Sequence, residues 1–224
     1  IDYYGEYEQI ATKEYVTMAD GTELLVYSTK APEENRSPYT LFFVPGWASV
    51  ILGWDSLLME AKDTFDIYYF ESREKKSSKI NWETKVHLDT LSDDLATMIE
   101  YYNVQQDKLI ILSSSYGSIV LAHALAKNKI EPLMPILFGP LTRLETPKGA
   151  KIILKYAPAW FIRLFKKPVQ WWLKNKKSES KEQAAKLLRA LEEIDLKKNL
   201  HVLRHIIMDD FFMVYTNIDN KVLI

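Results

Sequence analysis

Four short apolar runs punctuate the first 140 residues: YTLFFV at 39–44, FDIYYF at 65–70, LIIL at 109–112 and MPILF at 134–138. None alternates between apolar and polar side chains, so each suits a strand covered on both faces. Helix-like stretches separate them. These are residues 54–63, then 86–102, where Leu88, Leu91, Leu95, Met98 and Ile99 fall at helical spacing, then SIVLAHALAK from Ser118 to about Lys127. Strands alternating with helices predict an α/β protein with a mostly parallel central sheet covered by helices on both faces. Ahead of them, 8–18 and 23–29 flank Asp20-Gly21, a dipeptide that tolerates positive φ and predicts an antiparallel hairpin.

After Gly139-Pro140 the pattern changes. Residues 147–213 read as helical, broken by Pro158 and Pro168, and strand character returns only in KVLI at 221–224. The expected division is a core over 1–140, a helical cap over 141–213 and a resumption of the core over 214–224. A covered sheet does not normally end on an apolar strand with no helix over it, so the native protein is expected to continue past Ile224. A start at Ile1 rather than methionine also leaves room for a processed N-terminus.

Composition narrows the function classes. The 224 residues suit one sizeable domain, and the net charge of −1 supplies no excess of positive charge for nucleic acid. The absence of cysteine excludes disulfides, thiolate metal sites and a cysteine nucleophile. No apolar run approaches the roughly 20 residues of a membrane span. No secretory signal is visible at the start, and a cytoplasmic location is the expectation.

The chemistry centres on LIILSSSYGS at 109–118. A tight turn from strand to helix needs small residues, and small-x-Ser-x-small is met by Ser113 to Gly117, with Ser115 on the bend. In that frame the Tyr116 N–H, at the helix N-terminus, faces the place where an oxyanion would form. Ser113 supplies a small residue and Ser114 a spacer. The plainer alternative is that the serines only cap the following helix. A second oxyanion donor is expected from the loop after an earlier strand, here Pro45-Gly46-Trp47. Gly46 allows close backbone approach, and the Trp47 amide is the natural donor; Gly46 and Gly117 form the supporting turns.

With FFVPGW, FDIYYFESREKKSS and LSDDLATMIEYYNVQQDKLIILSSSYGS in this order, residues 10–140 resemble the N-terminal part of an α/β-hydrolase. ESREKKSS stands where many members carry Asp-x-Arg-Gly-x-Gly-x-Ser, with Arg73 and Ser78 in register and Glu74 and Lys76 in place of both glycines. Ser113, Ser114 and Ser118 depart from the usual elbow residues without removing a catalytic group. The resemblance implies a helical cap over 141–213, no cofactor, and a catalytic acid and histidine that follow the KVLI strand, beyond Ile224.

The four histidines offer little in their place. His123 reads as a packed helix residue and His87 as an exposed helix start. His201 and His205 are spaced i, i+4, but no HExxH accompanies them, and no metal site is expected. Between 148 and 177, nine Lys and Arg residues interleave with Tyr156, Trp160, Phe161, Phe165, Trp171 and Trp172. Such a stretch suits a lid with its aromatics over a cleft, or a helix resting on an anionic membrane surface.

The sequence therefore predicts a serine hydrolase that cleaves a carboxylic ester or related acyl substrate with an apolar acyl group, through an acyl-enzyme on Ser115. A non-catalytic domain of the same fold, binding a lipid or protein partner through the aromatic, basic cap, is the alternative. Acyl transfer to an acceptor other than water shares the first half of the mechanism.

Overall fold

In the computed structural model the described residues are 4–80, 86–143, 181–218 and isolated positions between 149 and 168. In chain order they form α1 (Glu6–Ile10), β1 (Thr12–Thr17), β2 (Glu23–Thr29), β3 (Thr40–Val44), α2 (Asp55–Ala61) and β4 (Asp66–Phe70). Then come α3 (Leu88–Tyr101), β5 (Leu109–Ser114), α4 (Tyr116–Ala126), β6 (Met134–Phe138), α5 (Lys181–Glu193), α6 (Leu196–Met208) and α7 (Phe212–Thr216).

The six strands make one sheet in the order β1-β2-β4-β3-β5-β6. β1 and β2 pair antiparallel as the Asp-Gly hairpin, and β2 meets β4 antiparallel. From β4 through β3 and β5 to β6 all pairing is parallel. Gly21 sits in the turn at φ +80°, a backbone that glycine adopts without steric cost.

Because side chains alternate across a strand, each apolar run feeds both faces of the sheet. Phe42, Val44, Tyr68 and Phe70 join a core with Leu91, Leu95 and Met98 of α3 and Ile119 and Leu121 of α4. Leu41, Phe43, Ile67 and Tyr69 join the opposite core with Tyr7 of α1 and Leu58 of α2. Register reinforces the layers: Phe42 and Tyr68 are cross-strand partners stacked 5.2 Å apart, and Phe43 and Tyr69 stack at 5.1 Å. Covering both faces removes the need for alternation and accounts for the unbroken apolar runs.

Two boundaries differ from the sequence reading. The first strand begins at Thr12, because residues 6–10 form α1, where Tyr7 is fully buried and Glu8 is paired with Arg189 of α5. The helix expected from Ser118 begins at Tyr116, directly on the bend. The helical reading of the later chain holds at α5, α6 and α7. The KVLI stretch and most of 148–177 lie outside the described residues. At described positions of the basic stretch, Tyr156 is exposed and Lys155 lies 5.3 Å over its ring. No described helix is long and apolar enough to cross a membrane.

Candidate active site

β5 ends on Ser113 and Ser114, both buried, and the chain turns into α4 within one residue, Ser115. Ser115 is exposed and holds φ +48° and ψ −115°, outside the regions open to most L-residues. Such a conformation costs on the order of 1–3 kcal/mol and persists only where neighbours enforce it. Here the Ser115 N–H donates to the Phe138 carbonyl at the end of β6 (3.0 Å), and its own carbonyl accepts from the Ser118 N–H (3.1 Å). Although Ser115 occupies the N-cap position, its hydroxyl makes no capping bond. The serines are therefore not there simply to cap a helix. Ser115 stands exposed at the C-terminal edge of the parallel strands, where α/β proteins commonly place ligands.

The other two hydroxyls are structural. Ser113 Oγ donates to the Ile136 carbonyl (3.0 Å) and lies 3.2 Å from Ser118 Oγ, which joins β5 to β6 and to α4. Ser114 is more than a spacer, because its Oγ accepts the Gly46 N–H at 3.0 Å and ties the elbow to the loop after β3. A buried hydroxyl needs such a partner, and this one locates the neighbouring loop.

Gly117 and Gly46 are required by proximity rather than by φ. A Cβ on Gly117 would lie 2.7 Å from the Pro45 carbonyl oxygen and closer still to that of Val44. A Cβ on Gly46 would stand 3.1 Å from Ser115 Cβ and 3.0 Å from the Ser114 carbonyl oxygen. The Pro-Gly-Trp turn and the serine elbow thus touch backbone to backbone, which brings the Gly46-Trp47 peptide beside Ser115. The Tyr116 N–H belongs to the first turn of α4 and has no intrahelical acceptor, while the dipole of that helix favours negative charge there. The Trp47 side chain packs half-buried against the core, anchoring the turn. Tyr116 itself is buried; burial, with Glu74 and Asp209 nearby, pushes its phenol above the usual range and keeps it protonated.

Two features of this region were not legible in the sequence. Lys75, which falls between the two missing glycines of the loop after β4, is buried. It donates to the Gly46 carbonyl at 2.9 Å and the Ser49 carbonyl at 2.8 Å. Arg73 is held by a bidentate pair with Asp94 of α3 (2.6 and 2.7 Å) and by the hairpin residues Asp20 and Thr22. Only the Arg73 and Ser78 register hinted at this scaffold, and nothing in the sequence marked the carbonyls that Lys75 would find.

The described histidines serve elsewhere. His123 Nδ1 is 3.2 Å from Ser92 Oγ and its Nε2 is 3.3 Å from Asp89, and burial lowers its pKa. His205 pairs with Asp209 at 2.9 Å. His87 stands exposed at the N-cap of α3, and the His201 side chain lies outside the described residues. Among the described residues no group of three or more His, Asp or Glu side chains gathers as a metal site.

Neither a model of a known protein family nor a curated protein matches this sequence. Solved structures do match. A hydrolase from Pseudomonas aeruginosa PA01 shares 14% identity at a TM-score of 0.69, over 94% of this chain and 78% of that one. The N-formylmaleamic acid deformylase Nfo from Pseudomonas putida S16 shares 17% at 0.69, over 94% and 80%. An α/β hydrolase from Sphaerobacter thermophilus shares 15% at 0.64, over 93% and 80%. At such identities the likeness speaks for architecture alone, and it agrees with the mostly parallel six-stranded sheet and its helices: the chain has the α/β-hydrolase fold.

Proposed function

We propose that this protein is a serine hydrolase acting on a carboxylic ester or a related acyl substrate. The observation that carries the reading is Ser115, an exposed serine held in a costly backbone conformation between a buried strand and a helix N-terminus. In this mechanism Ser115 Oγ bonds to the substrate carbonyl carbon as a general base takes its proton. The N–H groups of Trp47 and Tyr116 stabilise the resulting oxyanion. The tetrahedral adduct collapses, the leaving group departs with the proton, and water repeats the sequence on the acyl-enzyme to release the acid. The base and its orienting carboxylate are a His and an Asp or Glu carried outside the described residues. The preference for an apolar acyl group, the cap over 141–213 and its aromatic lid over 148–177 belong to the same proposal.

The test is covalent labelling of the full-length protein with a fluorophosphonate, followed by peptide mapping. A single adduct on Ser115, lost in Ser115→Ala, is the expected result. An adduct on another residue, or none from a protein that melts cooperatively, would sink the assignment.

A further inference from the structure

The Lys75 ammonium lies in the interior, 6% exposed, and spends two of its three donors on backbone carbonyls of one short turn. That turn is Gly46-Trp47-Ala48-Ser49, closed by its own bond from the Ser49 N–H to the Gly46 carbonyl (3.1 Å). Ala48 within it holds φ +55°, a left-handed conformation that disfavours a residue with a Cβ. A turn carrying this strain needs outside contacts to keep one geometry, and Lys75 supplies them at both ends.

The identity of one accepting carbonyl is what matters for chemistry. The Gly46 C=O and the Trp47 N–H are two ends of the same planar peptide unit. In a trans peptide they point in opposite directions, and the described chain holds no cis bonds. Fixing the oxygen on Lys75 therefore fixes the N–H facing away from Lys75. The preceding peptide is fixed separately, since the Gly46 N–H is held by Ser114 Oγ of the elbow. With Gly46 packed against Ser115, both rotations of the segment that carries the second donor are pinned, one by the elbow and one by the ammonium.

We infer that Lys75 is a positioning residue for oxyanion stabilisation: it orients the Gly46-Trp47 peptide and polarises it, so that the Trp47 N–H becomes a stronger donor to the charge developing on the substrate. Hydrogen bonds in a chain strengthen one another, and one that begins at a cation in a low-dielectric surrounding does so most. Glu74, 3.9 Å from the ammonium, is too distant for a close ion pair and leaves the carbonyls as the principal partners. This role rests on the Ser115 reading. Lys75 touches no reacting atom, and its effect passes through one peptide bond.

The experiment pairs kinetics with binding of an oxyanion mimic. Lys75→Met keeps an unbranched side chain one atom shorter and removes the ammonium that makes both bonds. With p-nitrophenyl butyrate, kcat is expected to fall about 10- to 100-fold, below the loss for deleting an oxyanion donor outright, with KM within threefold. Affinity for a trifluoromethyl ketone, which adds the serine to form a stable oxyanion, should fall by the same factor. A merely structural lysine would lower the melting temperature without this matched loss. If Lys75→Met fails to fold, Lys75→Gln, which retains a neutral amide NH2 on a shorter side chain, is read on the same assays. It is expected to lose about 3- to 10-fold in both kcat and ketone affinity, as suits neutral bonds in place of charge-assisted ones. Unchanged kcat, or a fall in kcat without loss of ketone affinity, overturns the role of Lys75. Turnover and labelling that survive Ser115→Ala overturn the Ser115 reading instead, and Lys75's role with it.

Discussion

The contact between the elbow and the Pro-Gly-Trp turn can be tested by adding a single methyl group. In Gly117→Ala the new Cβ would start 2.7 Å from the Pro45 carbonyl oxygen and nearer to that of Val44. Carbon–oxygen contacts settle at about 3.3–3.6 Å, so the strand end and turn must retreat by about 0.6 Å or more. Neither oxygen can swing aside, because both belong to backbone: Val44 pairs with Ser113 across the β3–β5 ladder, and Gly46 is tied to Ser114. Overpacking of this kind costs about 1–3 kcal/mol, which for a chain of this size lowers the melting temperature by roughly 2–12 °C. The effect on rate should be larger. A retreat approaching 1 Å moves the Trp47 N–H relative to Ser115 Oγ, and misplacement on that scale costs on the order of 100-fold. Measuring melting temperature, ester turnover and fluorophosphonate labelling on one preparation separates the terms. The expected variant is folded, moderately destabilised and slow, with labelling slowed alongside turnover. A variant with full activity and an unshifted melt would show that the two turns are not in rigid contact.

Two further outcomes concern the charges that brace this scaffold. Arg189 and Glu8 form a buried pair between α5 and α1, with side chains 8% and 4% exposed. Arg189→Leu should cost about 3 kcal/mol in urea unfolding, because it leaves the buried Glu8 charge with only the more distant Lys13 at 3.9 Å among the described residues, and Glu8→Gln in the same chain should recover much of the loss; additive losses would refute the coupling. Hydrogen bonds from Arg73 hold Asp20 down at about 2, below its unfolded value of about 3.9. Its contribution is therefore present above about pH 4 and lost as pH falls toward 2. Solvent screening of a carboxylate this exposed reduces it to about 1 kcal/mol. Wild type should exceed Asp20→Asn in stability at pH 6 and converge with it near pH 2, and a constant gap would refute the assignment.

Parts of this architecture stood in the sequence because local chemistry demanded them. Short unbroken apolar runs rich in aromatic and β-branched residues suit strands covered on both faces, and 39–44, 65–70 and 109–112 became β3, β4 and β5 within two residues at each end. Ser115 was singled out by spacing alone, since only one of three serines can occupy the bend. What escaped depends on distant partners. The five residues of α1 are too few to form a helix by propensity. They are helical because Tyr7 is buried and Glu8 meets an arginine 181 residues later. Ser114 and Lys75 escaped for a related reason: their partners are backbone groups, which every residue carries and no side-chain pattern announces.

The loop after β4 shows how a tight connection is held with Glu74 and Lys76 at the positions where the resemblance expects glycines. Glycine is needed there only if the backbone visits positive φ or must pack without a side chain. Among the described residues neither Glu74 nor Lys76 has positive φ, so the conformational reason does not apply. The loop is held instead from outside. Asn199 of α6 donates to the Glu74 carbonyl (2.6 Å), and Lys198 donates to the carbonyls of Lys75 (3.1 Å) and Ser78 (2.6 Å). Ser78 Oγ adds bonds to the Arg73 and Lys75 carbonyls, and Lys75 forms an antiparallel bridge to Ile194, between α5 and α6. These contacts fix the backbone of Lys75, whose ammonium in turn fixes the turn beside Ser115. A rigid side chain can orient a peptide only if its own backbone is rigid. α5 and α6 are thus tied to the bend at Ser115, through the loop after β4, Lys75 and the Gly46-Trp47 peptide.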